Sequence, residues 1–151
     1  MLRLTVALGL SAALSFAAFL ALGEAGPPVI PYKDAGRVTE GATLYETHCA
    51  GCHGTDLAGE PDWRSPGSDG LMPAPPHDET GHTWHHPDAQ LFEITKHGTA
   101  AIVGNGYESR MAGFGEVLSD TEILSVLAYI KSTWPARVIQ IHEEINGRPG
   151  G

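Results

Sequence analysis

Apolar residues recur at helical spacing in three stretches of this chain and lose any period between them. From Val38 to His48, the side chains of Val38, Ala42, Leu44 and Tyr45 fall near one side of a helix, with Thr39 placed to cap it. Pro87 suits a first helical turn, Asp88 adds a favourable negative charge, Leu91, Phe92 and Ile94 form an apolar face, and Gly98 ends the run. Ser119-Asp120-Thr121-Glu122 reads as a capping box ahead of Ile123, Leu127, Ile130 and Trp134 on one face. Pro135 then stops or kinks that helix, and Val138, Ile139, Ile141 and Ile145 predict an amphipathic tail within residues 135–151. These stretches predict an all-α domain with about three core helices. Residues 54–86 are rich in Gly and Pro without any period, which predicts a long irregular middle loop. Loops of that length inside a domain are usually functional or wrapped around something.

The chain opens differently. Arg3 is the sole charge before Glu24, and the 19 residues from Leu4 to Leu22 are apolar or small and uncharged. Residues 1–23 therefore read as an export signal peptide or an N-terminal membrane anchor. The small-residue patterns Ala21-Leu22-Gly23 and Gly23-Glu24-Ala25 favour cleavage. Residues 24–36 hold Pro27, Pro28 and Pro31 and read as a linker, leaving residues 37–134 as the domain. Either fate of the leader puts that domain in the periplasm or on the extracytoplasmic face of a bacterial membrane, with attachment through residues 4–22 if the leader is kept.

Composition narrows the class. With 151 residues the chain has room for one modest domain. Asp and Glu total 18 against 9 for Lys and Arg, the reverse of the balance a small nucleic-acid binder shows, so no nucleic-acid partner is expected. Aromatic residues make up 7% of the chain, while Gly and Pro number 19 and 11, thin material for a self-sufficient core. Something apolar from outside the chain is expected to help fill it.

The candidate chemistry is concentrated at Cys49-Ala50-Gly51-Cys52-His53. Two thiols separated by two residues, with a histidine directly after, form the covalent haem-attachment pattern. On one helical turn the thiols can add across two vinyl groups of a porphyrin, while the next imidazole reaches the iron. A zinc site would need a second pair of soft ligands, and these are the chain's 2 cysteines. A thioredoxin-like dithiol would need a βαβ setting that the pattern lacks, and a plain disulfide is the remaining alternative. For the iron's other face, a thioether ligand raises the potential, whereas a second histidine or an open site gives a low-potential or gas-binding haem. Met111, in the Gly-rich loop just before the capped helix, and Met72, nearer His53 in sequence, are the available thioethers, and Met111 is the better placed.

From about Arg37 to Trp134 the chain resembles the class I c-type cytochromes. Gly41, Tyr45 and Cys49 keep the four-residue steps that in that family pack a first helix against an aromatic of the last, here supplied by Leu127-Ala128-Tyr129-Ile130. The resemblance implies a class I cytochrome c fold wrapped around one covalent haem c, attached at Cys49 and Cys52. It implies His53 and Met111 as axial iron ligands, and Pro75 or Pro76 as the proline supporting the proximal imidazole. Ala112 stands where the family often has proline after its methionine, and the stretch from Asp56 to Pro87 is longer than in the simplest members. Its implied function is single-electron transfer between exported or membrane-bound redox partners, without catalysis of its own. Partners with basic docking faces would suit the acidic chain.

The middle loop adds His77, His82, His85 and His86 beside Asp78, Glu79 and Asp88, a set that could bind copper or zinc although its spacing matches no standard site. The plainer expectation is a polar loop whose imidazoles bond to backbone or to haem propionates, with Trp84 packed on the haem edge or the core. Metal handling at this loop, or a gas- or peroxide-reacting haem with an open site, are the alternative functions. His48 and His97 fall at helix C-termini, where positive charge is favourable, and His142 is expected to be solvated.

Overall fold

The computed structural model describes residues 26–148. Six helices follow in order among the described residues: α1 Ala35–His48, α2 Ala50–His53, α3 Asp88–His97, α4 Thr99–Val103, α5 Asp120–Ser132 and α6 Ala136–Asn146, with a 3-10 turn at Thr83–His85. No strand forms among these residues; an isolated antiparallel bridge joins Gly98 to Ala112. Residues 1–23, expected to be a leader, lie outside the described residues. No described helix is long and apolar enough to cross a membrane.

The helix starts follow from local chemistry. Asp34 caps α1, its Oδ1 accepting from the N–H groups of Gly36 and Arg37 at 2.9 and 3.2 Å. Thr39, the cap expected from the sequence, lies inside the helix and bonds back to the Ala35 carbonyl. The apolar period begins a turn later than the helix does, which is why the pattern misplaced the start. At α5 both halves of the capping box are made: the Ser119 side chain accepts from the Glu122 N–H, and Glu122 Oε2 accepts from the Ser119 N–H at 2.8 Å.

The core is built on the crossing of α1 and α5. A Cβ at Gly41 would run into the Ser125 carbonyl, so this position has room for no side chain. Four residues on, Tyr45 packs on Tyr129 with ring centroids 5.3 Å apart. Ile123, Val126, Leu127, Ala128 and Ile130 of α5 are buried, and Leu91 and Phe92 of α3 join them. Gly98, at φ 86°, ends α3 and lets the backbone of residues 111–113 lie against it. The Phe114 and Gly115 N–H groups donate to the Thr95 and Lys96 carbonyls, so the loop carrying Met111 is fastened to the end of α3.

The tail forms α6, and it is not peripheral. Val138 and His142 are buried. His142, expected in solvent, is fully enclosed: Nε2 donates to the His86 carbonyl at 2.9 Å and the ring stands edge-on to Trp134. Beside it Lys131, 1% exposed, reaches Glu143 at 2.6 Å and Asp88 at 3.4 Å. Asp88 also accepts from the Ile30 N–H at 2.8 Å and from Asn146, so one carboxylate joins the N-terminal arm, α3, α5 and α6. Breaking such a buried pair from one side leaves an uncompensated charge, which is strongly destabilising.

Candidate haem-attachment site

The last residues of α1 and the single turn of α2 set the geometry. The Cys49 N–H continues the α1 ladder to the Tyr45 carbonyl at 2.8 Å, and the Cys52 and His53 N–H groups both return to the Cys49 carbonyl, at 3.1 and 2.9 Å. Cys49, Cys52 and His53 therefore share one turn, and Gly54 at φ 78° ends it. The buried Tyr45 hydroxyl donates to the Gly54 carbonyl at 2.9 Å, tying the exit of the turn to α1. Burial pushes the Tyr45 phenol above its ordinary range, which keeps it a donor.

Cys49 is half-buried and Cys52 exposed, both as free thiols. Burial first, then the neighbouring Cys52, pushes the Cys49 thiol up to about 11, so it is protonated at neutral pH. Among the described residues no group of three or more His, Cys, Asp and Glu is placed to hold a metal ion, so Cys49, Cys52 and His53 do not converge on one cation.

His53 is 7% exposed, and its Nδ1 lies 2.8 Å from the Pro75 carbonyl. A carbonyl can only accept, so Nδ1 carries the proton and Nε2 presents its lone pair. Burial lowers the His53 pKa, while the Pro75 bond works against that shift. The ring is a neutral imidazole with one nitrogen fixed by backbone and the other free to ligate, the arrangement metal-bound histidines adopt. Of the two prolines considered from the sequence, Pro75 makes this bond.

Met111 is half-buried, in the loop fastened to α3, and its N–H donates to Ser109 Oγ at 3.1 Å. Met72 is 37% exposed in the middle loop. That loop has little regular structure but is well bonded: the His77 N–H donates to the Leu57 carbonyl, Gly59 to His53, and Glu60 to Ala74, each at 2.8 Å. The sequence reading missed Arg110, which reaches Asp69 at 2.6 Å and Glu60 at 3.7 Å and so ties the Met111 loop to the middle loop. Asp69 is 41 residues away, so no local signal marks the pair.

Among the described residues the structure does not bring the four imidazoles of the middle loop together as one group. His77 turns inward, stacks on His53 and bonds Thr83 Oγ1. His82 lies against Trp63, His85 against Trp84, and His86 Nδ1 is 3.3 Å from Gln90 Oε1. His82 and His86 also stand edge-on to each other with centroids 5.5 Å apart, while His77 and His85 are engaged elsewhere, on His53 and Trp84. Trp84 packs against the core, and its Nε1 donates to the Glu79 carbonyl.

Helices α1 and α5 crossing at a glycine, with a thiol-thiol-imidazole turn and a proline carbonyl behind the imidazole, define an all-α domain of the class I c-type cytochrome kind. Residues 38–134 match the family model for cytochrome c, and the chain belongs to that family. Over 97 residues it is 31% identical to the Cbb3-type cytochrome c oxidase subunit CcoP of Azospirillum sp. (strain B510). That match takes in 64% of this chain and 29% of the relative, so the chain spans under a third of that protein's length. In fold it resembles cytochrome cL of the marine methylotroph Methylophaga aminisulfidivorans MPT, with a TM-score of 0.50 at 21% identity over 85% of each chain. Membership of the family makes this an electron-transfer haem protein with covalently bound haem c.

Proposed function

We propose that the chain is a monohaem electron carrier of the extracytoplasmic space and not an enzyme. Cys49 and Cys52 hold the haem through thioether bonds, and His53 and Met111 are the axial iron ligands. The observation that carries this reading is His53: a buried imidazole on the same turn as both thiols, its Nδ1 held at 2.8 Å by Pro75 and its Nε2 left to ligate. The haem supplies a one-electron iron couple. The chain's residues keep its ligation constant: Pro75 orients the imidazole, and the bonds from Phe114 and Gly115 to α3 hold the loop that bears the thioether. Fixed ligands need little rearrangement when the iron changes charge.

The leader expected over residues 1–23 supports export to the periplasm, free or attached through residues 4–22. The acidic balance of the chain supports redox partners with basic docking faces. Similarity to an oxidase subunit supports a respiratory setting for the exchange. Optical spectra of the protein matured with haem test the ligand set. Met111→Ala is expected to abolish the thioether charge-transfer band, and Met72→Ala to leave it intact; the reverse pattern overturns the assignment. A mature wild-type protein lacking the mass of one covalent haem overturns the whole reading.

A further inference from the structure

Behind the His53 imidazole lies a second one. The His77 ring is stacked on it, with centroids 4.0 Å apart and planes 26° from parallel. Its Nδ1 is 2.8 Å from Thr83 Oγ1, and the Thr83 hydroxyl has the Pro76 carbonyl as its acceptor at 3.4 Å. Whether the ring nitrogen donates to the hydroxyl or accepts from it, Thr83 holds the edge of the His77 ring. Pro75 thus holds His53 directly, and Thr83 holds the ring stacked on it. The backbone of His77 is held as firmly, its N–H on the Leu57 carbonyl at 2.8 Å and its carbonyl accepting the Trp134 indole N–H at 2.7 Å.

A single hydrogen bond at Nδ1 leaves the His53 ring free to swing about the line from that nitrogen to its acceptor. A flat neighbour against one face removes the swing. Stacked aromatic rings attract beyond the area they bury, which favours one ring orientation over another. We propose that His77 is a positioning residue that, with Thr83, fixes the plane of the His53 imidazole. This rests on the reading of His53 as an iron ligand. Its consequence is electronic, because the plane of an axial imidazole selects the iron d orbital that carries the unpaired electron in the ferric state. A locked plane gives one well-defined orbital ground state, and a librating plane averages several.

The test is the spread of the paramagnetically shifted haem-methyl proton resonances in the ferric holoprotein, with the anisotropy of its electron paramagnetic resonance signal as a second reading. His77→Leu, which removes the flat face, is expected to contract the methyl spread, and His77→Phe, which restores that face, to return it towards wild type. Thr83→Val keeps the ring but removes its hydrogen-bond partner, and a smaller contraction in the same direction is expected. It also supplies the test should His77→Leu fail to mature. A methyl spread unchanged in His77→Leu, or in Thr83→Val where the leucine protein does not form, overturns the role of His77 and leaves His53 as ligand. A wild-type ferric protein without the spectra of an imidazole-ligated low-spin haem overturns the reading of His53 itself, and the inference with it.

Discussion

Gly41 has no side chain because the Ser125 carbonyl occupies the place where one would begin. Backbone cannot yield as a flexible side chain does, so Gly41→Ala must push α1 away from α5. The expected cost is about 3 kcal/mol, at the upper end for overpacking, and a thermal melt of the holoprotein will show it. His142 makes a pH-dependent prediction. Burial first, then repulsion from Lys131, lowers its pKa from the ordinary 6.5, with Asp88, Glu143 and the His86 carbonyl opposing. Its Nδ1 is buried without a hydrogen-bond partner, so a proton added there meets no acceptor. The unfolded chain takes up that proton near 6.5 and the folded chain only at lower pH. Stability is therefore fully present above about pH 6.5, declines as the pH falls below it, and levels off beneath the folded value. His77 and His82 are lowered too, so the slope is shared. His142→Gln, which keeps a donor for the His86 carbonyl, is expected to show a smaller fall in melting temperature than wild type between about pH 7 and pH 5.

Among the elements, those with short-range signals were legible in the sequence. The α5 start is written in four residues, and its expected strength is modest: Ser119→Ala is predicted to lower stability by about 1 kcal/mol in denaturant titration. Helix α3 lies between Pro87 and Gly98 as its punctuation indicates. Helix α4, five residues between two glycines, was hidden inside a Gly-rich stretch. The attachment turn was equally readable, since Cys49, Cys52 and His53 fall within five positions. What His53 leans on came only through the family resemblance, which offered Pro75 or Pro76 at a distance of some 22 positions, and the His86 carbonyl that holds His142 from 56 positions away had no signal at all. The placing of the rings in the histidine-rich loop was illegible for the same reason. Nearness along the chain does not say that His77 stacks on His53 and His85 on Trp84, while His82 stands against both Trp63 and His86.

On the scale of the whole molecule, net charge governs how partners are met. The chain carries a formal charge of −9, and export with cleavage would remove one basic residue, Arg3. Second-order electron transfer with a partner that has a basic face is expected to slow as salt is added, because screening weakens the attraction that steers encounter. A rate that climbs with ionic strength would point to an acidic partner instead. The porphyrin is also expected to be part of the core. The double variant Cys49→Ala/Cys52→Ala, unable to form either thioether, should lose most of its helical circular dichroism when purified without haem.

The bond from the Ile30 N–H to Asp88 has a mechanical meaning as well. It anchors the arm to the globule at residue 30, so the tether begins there and not at the first helix. Were Leu4 to Leu22 kept in a lipid bilayer, the slack between membrane and protein would be residues 23–29 alone, which fully stretched reach about 25 Å. A carrier on so short a leash would trade electrons only with neighbours in its own patch of membrane.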